Sequence, residues 1–187
     1  MGVNAQPGGR AGAGVLTLVL GGTRSGKSAV AEALTSRLAG DGQVTYVATA
    51  WFDPADADHA ARIEVHRRRR PPGWRTVECG VPAYLPGVLA EAEGVVLLDS
   101  LGTWVSAHAD LVVDPAPLVA ALGARTGGTV VVSEEVGLSV HAPTEVGRRF
   151  VDALGTVNQA VAAVADEAVL VVAGRAMRLP PPGDLPC

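Results

Sequence analysis

The chain has 187 residues, 48% of them apolar, a formal net charge of −4 and two cysteines. That is enough apolar material for one sizeable core, and the acidic balance excludes a general attraction to nucleic acid or to an anionic membrane. Cys79 and Cys187 make no disulfide framework, which suits a reducing cytoplasm, and no apolar run approaches the ~20 residues of a membrane-spanning helix.

In chain order, residues 1–14 are rich in Gly and Ala and lack a basic-then-apolar signal pattern, so a flexible extension is expected there. The apolar, β-leaning run 15–20 predicts a buried parallel strand. It leads into Gly21-Gly22-Thr23-Arg24-Ser25-Gly26-Lys27-Ser28, which fits the phosphate-binding pattern G-x-x-x-x-G-K-[ST]. Ala, Glu and Leu then predict a helix over 27–39. Among fifteen lysines and arginines Lys27 is the single lysine, a sign that a slim ammonium is needed where a planar guanidinium would not serve. Strand, glycine loop and helix aim backbone N–H groups at a phosphate chain. Lys27 is expected to reach the β- and γ-phosphates and the Ser28 hydroxyl to ligate Mg²⁺. The bland alternative is a chance glycine turn. The expected ligand is a nucleoside triphosphate.

A second strand is predicted over 44–49, where Thr49 could bind nucleotide by its hydroxyl or backbone. A helix over 56–70 places His59, Arg62, Ile63, His66 and Arg70 on one face. His59 and His66 lie about 10 Å apart along its axis, too far to share one metal, which argues against a zinc site. Arg67, Arg68, Arg69 and Arg70 read three ways: a nucleic-acid patch, weak in an acidic protein; a solvated helix end; or a clamp for phosphates. In the last case His66 is the nearby side chain able to attack phosphorus. Further helices are predicted over 83–92, 116–124 and 145–165, and strands over 94–98, 129–133 and 168–173. Asp99 closes one of these strands and is placed to approach Mg²⁺ beside the loop, unless it caps a helix at Thr103. Glu134 and Glu135 close another, where one of them could position substrate or an ordered water; the alternative is a solvated pair. The alternation predicts an α/β, P-loop NTPase-type three-layer fold with a mostly parallel central sheet, a single domain over 15–178, and a loose tail over 179–187. Ligands belong at the carboxyl ends of its strands.

The loop 21–28 resembles the opening of the bifunctional adenosylcobinamide kinase/adenosylcobinamide-phosphate guanylyltransferase family. The likeness continues through Tyr46-Val47-Ala48-Thr49, Ala61-Arg62-Ile63, His66, Arg70-Pro71, Trp74-Arg75-Thr76, Glu78 and Leu97-Leu98-Asp99-Ser100-Leu101 with Trp104-Val105. It runs on through Val132-Ser133, Glu135-Val136-Gly137, Gly147-Arg148, Phe150, Asp152, Gly155, Asn158-Gln159 and Ala165-Asp166-Glu167 to Val171-Val172-Ala173-Gly174. The resemblance implies two reactions at one site. The hydroxyl of the aminopropanol arm of adenosylcobinamide takes the γ-phosphoryl group of ATP or GTP. Then a histidine, which falls on His66, attacks the α-phosphorus of GTP and releases pyrophosphate. The phosphate of adenosylcobinamide phosphate displaces the histidine to give adenosylcobinamide-GDP. Nucleotide contacts implied by the resemblance fall on the loop, on Ala48, Thr49 and Ala50, on Arg67 to Arg70, and on Glu78 and Asp99. A homo-oligomer is also implied, with the trimer as a frequent form.

Three departures stand out. Glu134 replaces the usual Asn of Asn-Glu-Val-Gly, exchanging an amide for an acceptor-only carboxylate. The loop Ser139-Val140-His141-Ala142-Pro143 differs from Gly-Ile-Val-Pro, and Asp58-His59 stands for Glu-Met. Other function classes fare worse. A GTPase switch needs a second lysine in its guanine-recognition motif. A small-molecule kinase without the guanylyl step is the runner-up, and a non-catalytic nucleotide-binding module conflicts with the presence of Lys27, Ser28, His66 and Asp99. Trp51, Trp74 and Trp104 are candidates for packing on a corrinoid ring, with core packing the alternative for Trp104.

Overall fold

The computed structural model describes residues 14–49, 71–138 and 142–184. Its strands are β1 (Leu16–Gly21), β2 (Val44–Ala48), β3 (Arg75–Glu78), β4 (Val95–Asp99), β5 (Thr129–Glu134), β6 (Glu167–Val172) and β7 (Arg175–Arg178). The described helices are α1 (Lys27–Ala39), α2 (Leu85–Glu91), α3 (Leu101–Ser106), α4 (Ala116–Ala124) and α5 (Glu145–Ala162), with short 3₁₀ turns between some of them. The strands form one sheet in the order β3-β2-β4-β5-β1-β6-β7, parallel throughout except for β7 against β6.

The period-2 alternation of side chains explains the three layers. Leu16, Leu18 and Leu20 of β1, Val96 and Leu98 of β4 and Val131 of β5 face one cluster with Leu89, Trp104, Leu118, Leu122, Leu154 and Val157. Val19, Leu97, Val130 and Val132 face the other, against Ala31 of α1. In α5 the buried Leu154, Val157, Asn158 and Val161 recur at i, i+3, i+4 and i+7, a stripe that seats the helix on the sheet. Among the described residues no helix is long and apolar enough to cross a membrane.

The central strands and α1, α2, α4 and α5 form close to where their patterns predict them. The predicted helix over 56–70 lies outside the described residues. Sequence periodicity missed β3 and β7, and both are edge strands. Three of four residues of β3 and all of β7 are exposed, so neither carries an apolar alternation. Periodicity gave no bounds for α3 either, a six-residue helix entertained in the sequence only as the alternative at Thr103 and marked there by its capping box. The Thr103 N–H donates to Ser100 Oγ (3.4 Å) and the Ser100 N–H to Thr103 Oγ1 (3.3 Å).

The amino edge of the sheet is closed by charged groups turned onto backbone. Asp166 accepts from the Leu16 N–H at 2.7 Å. The buried Arg125 guanidinium donates to the carbonyls of Leu89, Ala92 and Gly94 and to Thr129 Oγ1. Burial pulls its pKa below the ordinary guanidinium value, yet the group stays charged. The Gly14 N–H donates to the Arg125 carbonyl and the Leu179 N–H to that of Ala168, so the chain is tied to the core just outside residues 15–178.

Candidate active site

At the carboxyl end of β1 the chain turns through Gly22–Gly26 and enters α1 at Lys27. Two glycines are required by geometry. Gly26 has φ +93°, in the left-handed region that penalises a Cβ. A Cβ on Gly21 would lie 2.5 Å from Ser25 Oγ and 2.8 Å from the Val171 carbonyl oxygen. The turn is held by the Ser25 N–H on the Gly22 carbonyl and by the Gly174 N–H on the Ser25 carbonyl (2.7 Å). Ser25 Oγ also accepts from the Lys27 N–H at 3.3 Å.

No side chain caps α1 at Gly26, and its first turn carries no acid. A helix entered this way offers N–H groups and a positive dipole end to an anion. The Lys27 ammonium folds back over the loop, 3.4 Å from the Gly22 carbonyl oxygen. Thr23 and Arg24 are exposed on the turn, and Ser28 follows Lys27 on the same first turn. The arrangement can bind a chain of phosphates.

Strand register sets the rest. Ala48 pairs with Asp99 on one side and with Glu78 on the other, and Gly21 pairs with Glu134. Hence Asp99, Glu78 and Glu134 all close strands on the edge that bears the loop. Asp99 Oδ2 accepts a 2.6 Å hydrogen bond from the Tyr46 hydroxyl, and its carbonyl accepts from the Thr49 N–H. The alternative in which Asp99 caps the next helix does not hold, because Ser100 does so. Thr49 departs from the expectation of a hydroxyl contact with nucleotide. It is 1% exposed, and its hydroxyl is shared between Ser100 and Thr103, at 2.6 Å from the Ser100 carbonyl and 2.6 Å from Thr103 Oγ1. Polar burial without a partner is costly, so this hydroxyl turns inward and fastens the β4–α3 junction.

The two acids after β5 behave differently. Glu135 accepts from the Gly137 N–H at 2.8 Å in an exposed turn. Glu134 points into the site, where Ser100 Oγ donates to its carboxylate at 3.1 Å and the Gly102 N–H at 3.0 Å. Its Oε1 lies 3.5 Å from the Lys27 ammonium. Asn158 supports the strand end from α5: Nδ2 donates to the Glu134 carbonyl at 3.1 Å, while Oδ1 accepts from the buried Ser133 hydroxyl at 2.6 Å.

Ser100 and Asn158, noted in the sequence only as parts of matching motifs, and Gly102, not noted at all, are the residues of this edge to which sequence reasoning gave no role. Their contacts span 24 to 34 positions, beyond any local pattern, although the Ser100-to-Thr103 spacing of a capping box was readable. Expectations for Ala50, His66, Arg67, Arg68, Arg69 and Arg70, and for Trp51, lie outside the described residues. Trp104 belongs to the core, with Nε1 donating to the Pro82 carbonyl at 3.1 Å. Trp74 packs against the α1-side cluster.

The family model described as cobinamide kinase/cobinamide phosphate guanyltransferase matches residues 17–179. The bifunctional adenosylcobalamin biosynthesis protein CobP of Pseudomonas aeruginosa is 40% identical over 174 residues, covering 87% of this chain and 95% of that protein. The corresponding CobU of Salmonella typhimurium is 36% identical over 186 residues, covering 88% and 99%. Among solved structures, the flagellar accessory protein FlaH of Methanocaldococcus jannaschii aligns with a TM-score of 0.51 at 15% identity, over 91% of this chain and 78% of that one. At that identity the likeness concerns the fold alone.

Proposed function

Since the chain belongs to the cobinamide kinase/cobinamide phosphate guanyltransferase family, we propose that it performs both reactions in one domain spanning 15–178. Adenosylcobinamide is first phosphorylated on its aminopropanol hydroxyl by ATP or GTP. GMP is then transferred from GTP, through a GMP–His66 intermediate, to adenosylcobinamide phosphate. The products are adenosylcobinamide-GDP and pyrophosphate.

The observation that carries this reading is the uncapped start of α1 with the Lys27 ammonium folded across the loop. Gly21, Gly22, Thr23, Arg24, Ser25 and Gly26 form the cradle. Lys27 neutralises charge on the phosphates, and preorganised cations of this kind stabilise phosphoryl transfer. Ser28 and Asp99 offer a hydroxyl and a carboxylate, the hard oxygen donors that suit Mg²⁺, an ion that supplies charge neutralisation on phosphate oxygens when bound. Ala48, Ala50, Glu78 and the arginines Arg67 to Arg70 complete the nucleotide contacts in this reading. Thr49 is retained through its backbone only. His66 attacks as a neutral imidazole, because covalent catalysis divides one difficult transfer into two. A homo-oligomer in the cytoplasm, with the trimer as the form implied by the resemblance, belongs to the same reading.

Incubation with GTP labelled at the α-phosphate, followed by denaturation and peptide mapping, tests it. The expected result is an acid-labile, base-stable GMP adduct on His66 that is absent in His66→Ala, while His66→Ala keeps most of the phosphoryl transfer. Intact triphosphate binding without an adduct would leave the kinase alone.

A further inference from the structure

The Glu134 carboxylate is seated by parts of the protein that have no need to move. Ser100 Oγ, fixed by its own role as helix cap, donates to both carboxylate oxygens, and the Gly102 N–H donates to Oε2. Gly102 is essential to this seat, since a Cβ there would fall 2.0 Å from Glu134 Oε2. Behind it, Asn158 pins the Glu134 carbonyl. Among the described residues the remaining partner of the carboxylate is the Lys27 ammonium, 3.5 Å from Oε1 and on a flexible four-carbon stem. The side chains of Lys27 and Glu134 are 12% and 26% exposed, so the pair is sheltered and only partly screened. A fixed anion thus faces a movable cation at the mouth of the phosphate loop.

We propose that Glu134 is a positioning residue for Lys27, holding its ammonium while the loop is empty and competing with the incoming triphosphate for it, so that it sets the affinity for nucleotide. This rests on the reading of Lys27 as the phosphate-binding cation. Two effects act in the same direction. Lys27 must leave Glu134 to reach the phosphates, and the remaining carboxylate repels their negative charge. Release of the polyphosphate product is assisted in turn, because Lys27 has a partner to return to. An amide with its oxygen in the place of Oε2 would keep the bonds from Ser100 Oγ and the Gly102 N–H to that atom and remove both penalties.

The test is calorimetric titration of the full-length chain with the β,γ-imido analogue of GTP, with thermal melting in parallel. Glu134→Gln is expected to bind the analogue roughly three- to tenfold tighter than the unmodified chain. GMP, which is too short to engage Lys27 through a γ-phosphate, should gain less than twofold, or about 0.4 kcal/mol. Glu134→Asn carries the same expectation and replaces Glu134→Gln if that variant does not fold. Unchanged or weaker analogue binding by a folded neutral variant overturns the proposal, because a merely structural carboxylate leaves affinity untouched or lowers it when lost. An equal gain for GMP also overturns it, since the effect would then bypass Lys27. Lys27→Ala separates the two layers. If it binds the analogue as tightly as the unmodified chain, the reading of Lys27 itself fails. If it binds weakly while Glu134→Gln shows no gain, only the role of Glu134 fails.

Discussion

The two edges of the central sheet use charged residues in opposite ways. At the amino edge, Arg125 and Asp166 are turned onto the backbone and joined to groups that stay where they are. At the carboxyl edge, Lys27 and Glu134 meet each other across a loop whose other features all suit an anion. The amino-edge charges close the fold, since a buried guanidinium with four acceptors satisfies three carbonyls of the 89–94 stretch that would otherwise be left unpaired. The carboxyl-edge charges are exchangeable, because one partner sits on a rigid seat and the other on a flexible stem. A parallel sheet encourages this division: its carboxyl ends open into loops that can face a ligand, while its amino ends must be sealed.

Substitutions at the two edges should therefore separate activity from stability. The largest effect is expected for Lys27→Ala, which should lower both phosphoryl and guanylyl transfer by about 10²- to 10³-fold, with the melting temperature nearly unchanged. Steady-state assays of each half-reaction, with circular dichroism melts, check it; a large loss of stability would place Lys27 with the closing charges. Arg125→Ala should do the reverse. Removing the guanidinium strands the carbonyls of Leu89, Ala92 and Gly94 and costs roughly 2–4 kcal/mol in urea unfolding, with kcat at low temperature close to that of the unmodified chain.

The smallest effect sharpens the contrast within the carboxyl edge itself. Cys79 follows β3 there, yet it is 5% exposed and its thiol donates to the Val81 carbonyl at 3.6 Å. Burial pushes its pKa up. A group whose pKa is raised by folding contributes its stability below the unfolded value and loses it as pH rises toward the folded value. Alkylation of Cys79 by iodoacetamide near pH 8 should accordingly run about tenfold slower in the native chain than in urea. Equal rates would mean that this part of the edge is open.

Much of this organisation was legible in the residues. The run 15–20 and its glycine loop specify their own geometry locally, because Gly21 and Gly26 stand where a Cβ would collide or a left-handed φ is needed. A continuous apolar run was equally sufficient for β4 and β5, whose faces are both buried. Apolar patterning was insufficient for β3 and β7, whose exposed side chains leave no period to read. The strand-end acids Asp99, Glu134 and Glu135 were all visible as candidates, but nothing local decided which of Glu134 and Glu135 enters the site.

Only tertiary structure made that choice. It turned the Thr49 hydroxyl away from the site, left Glu135 in a turn, and brought Glu134 against Lys27 through Ser100, Gly102 and Asn158. The physical reason is range. Helices, strands and glycine turns are determined by interactions among near neighbours, which a sequence displays directly. Which carboxylate meets which cation depends on strand order and register, and β5 reaches β1 only because the chain passes through β2, β3 and β4 before returning to the centre of the sheet.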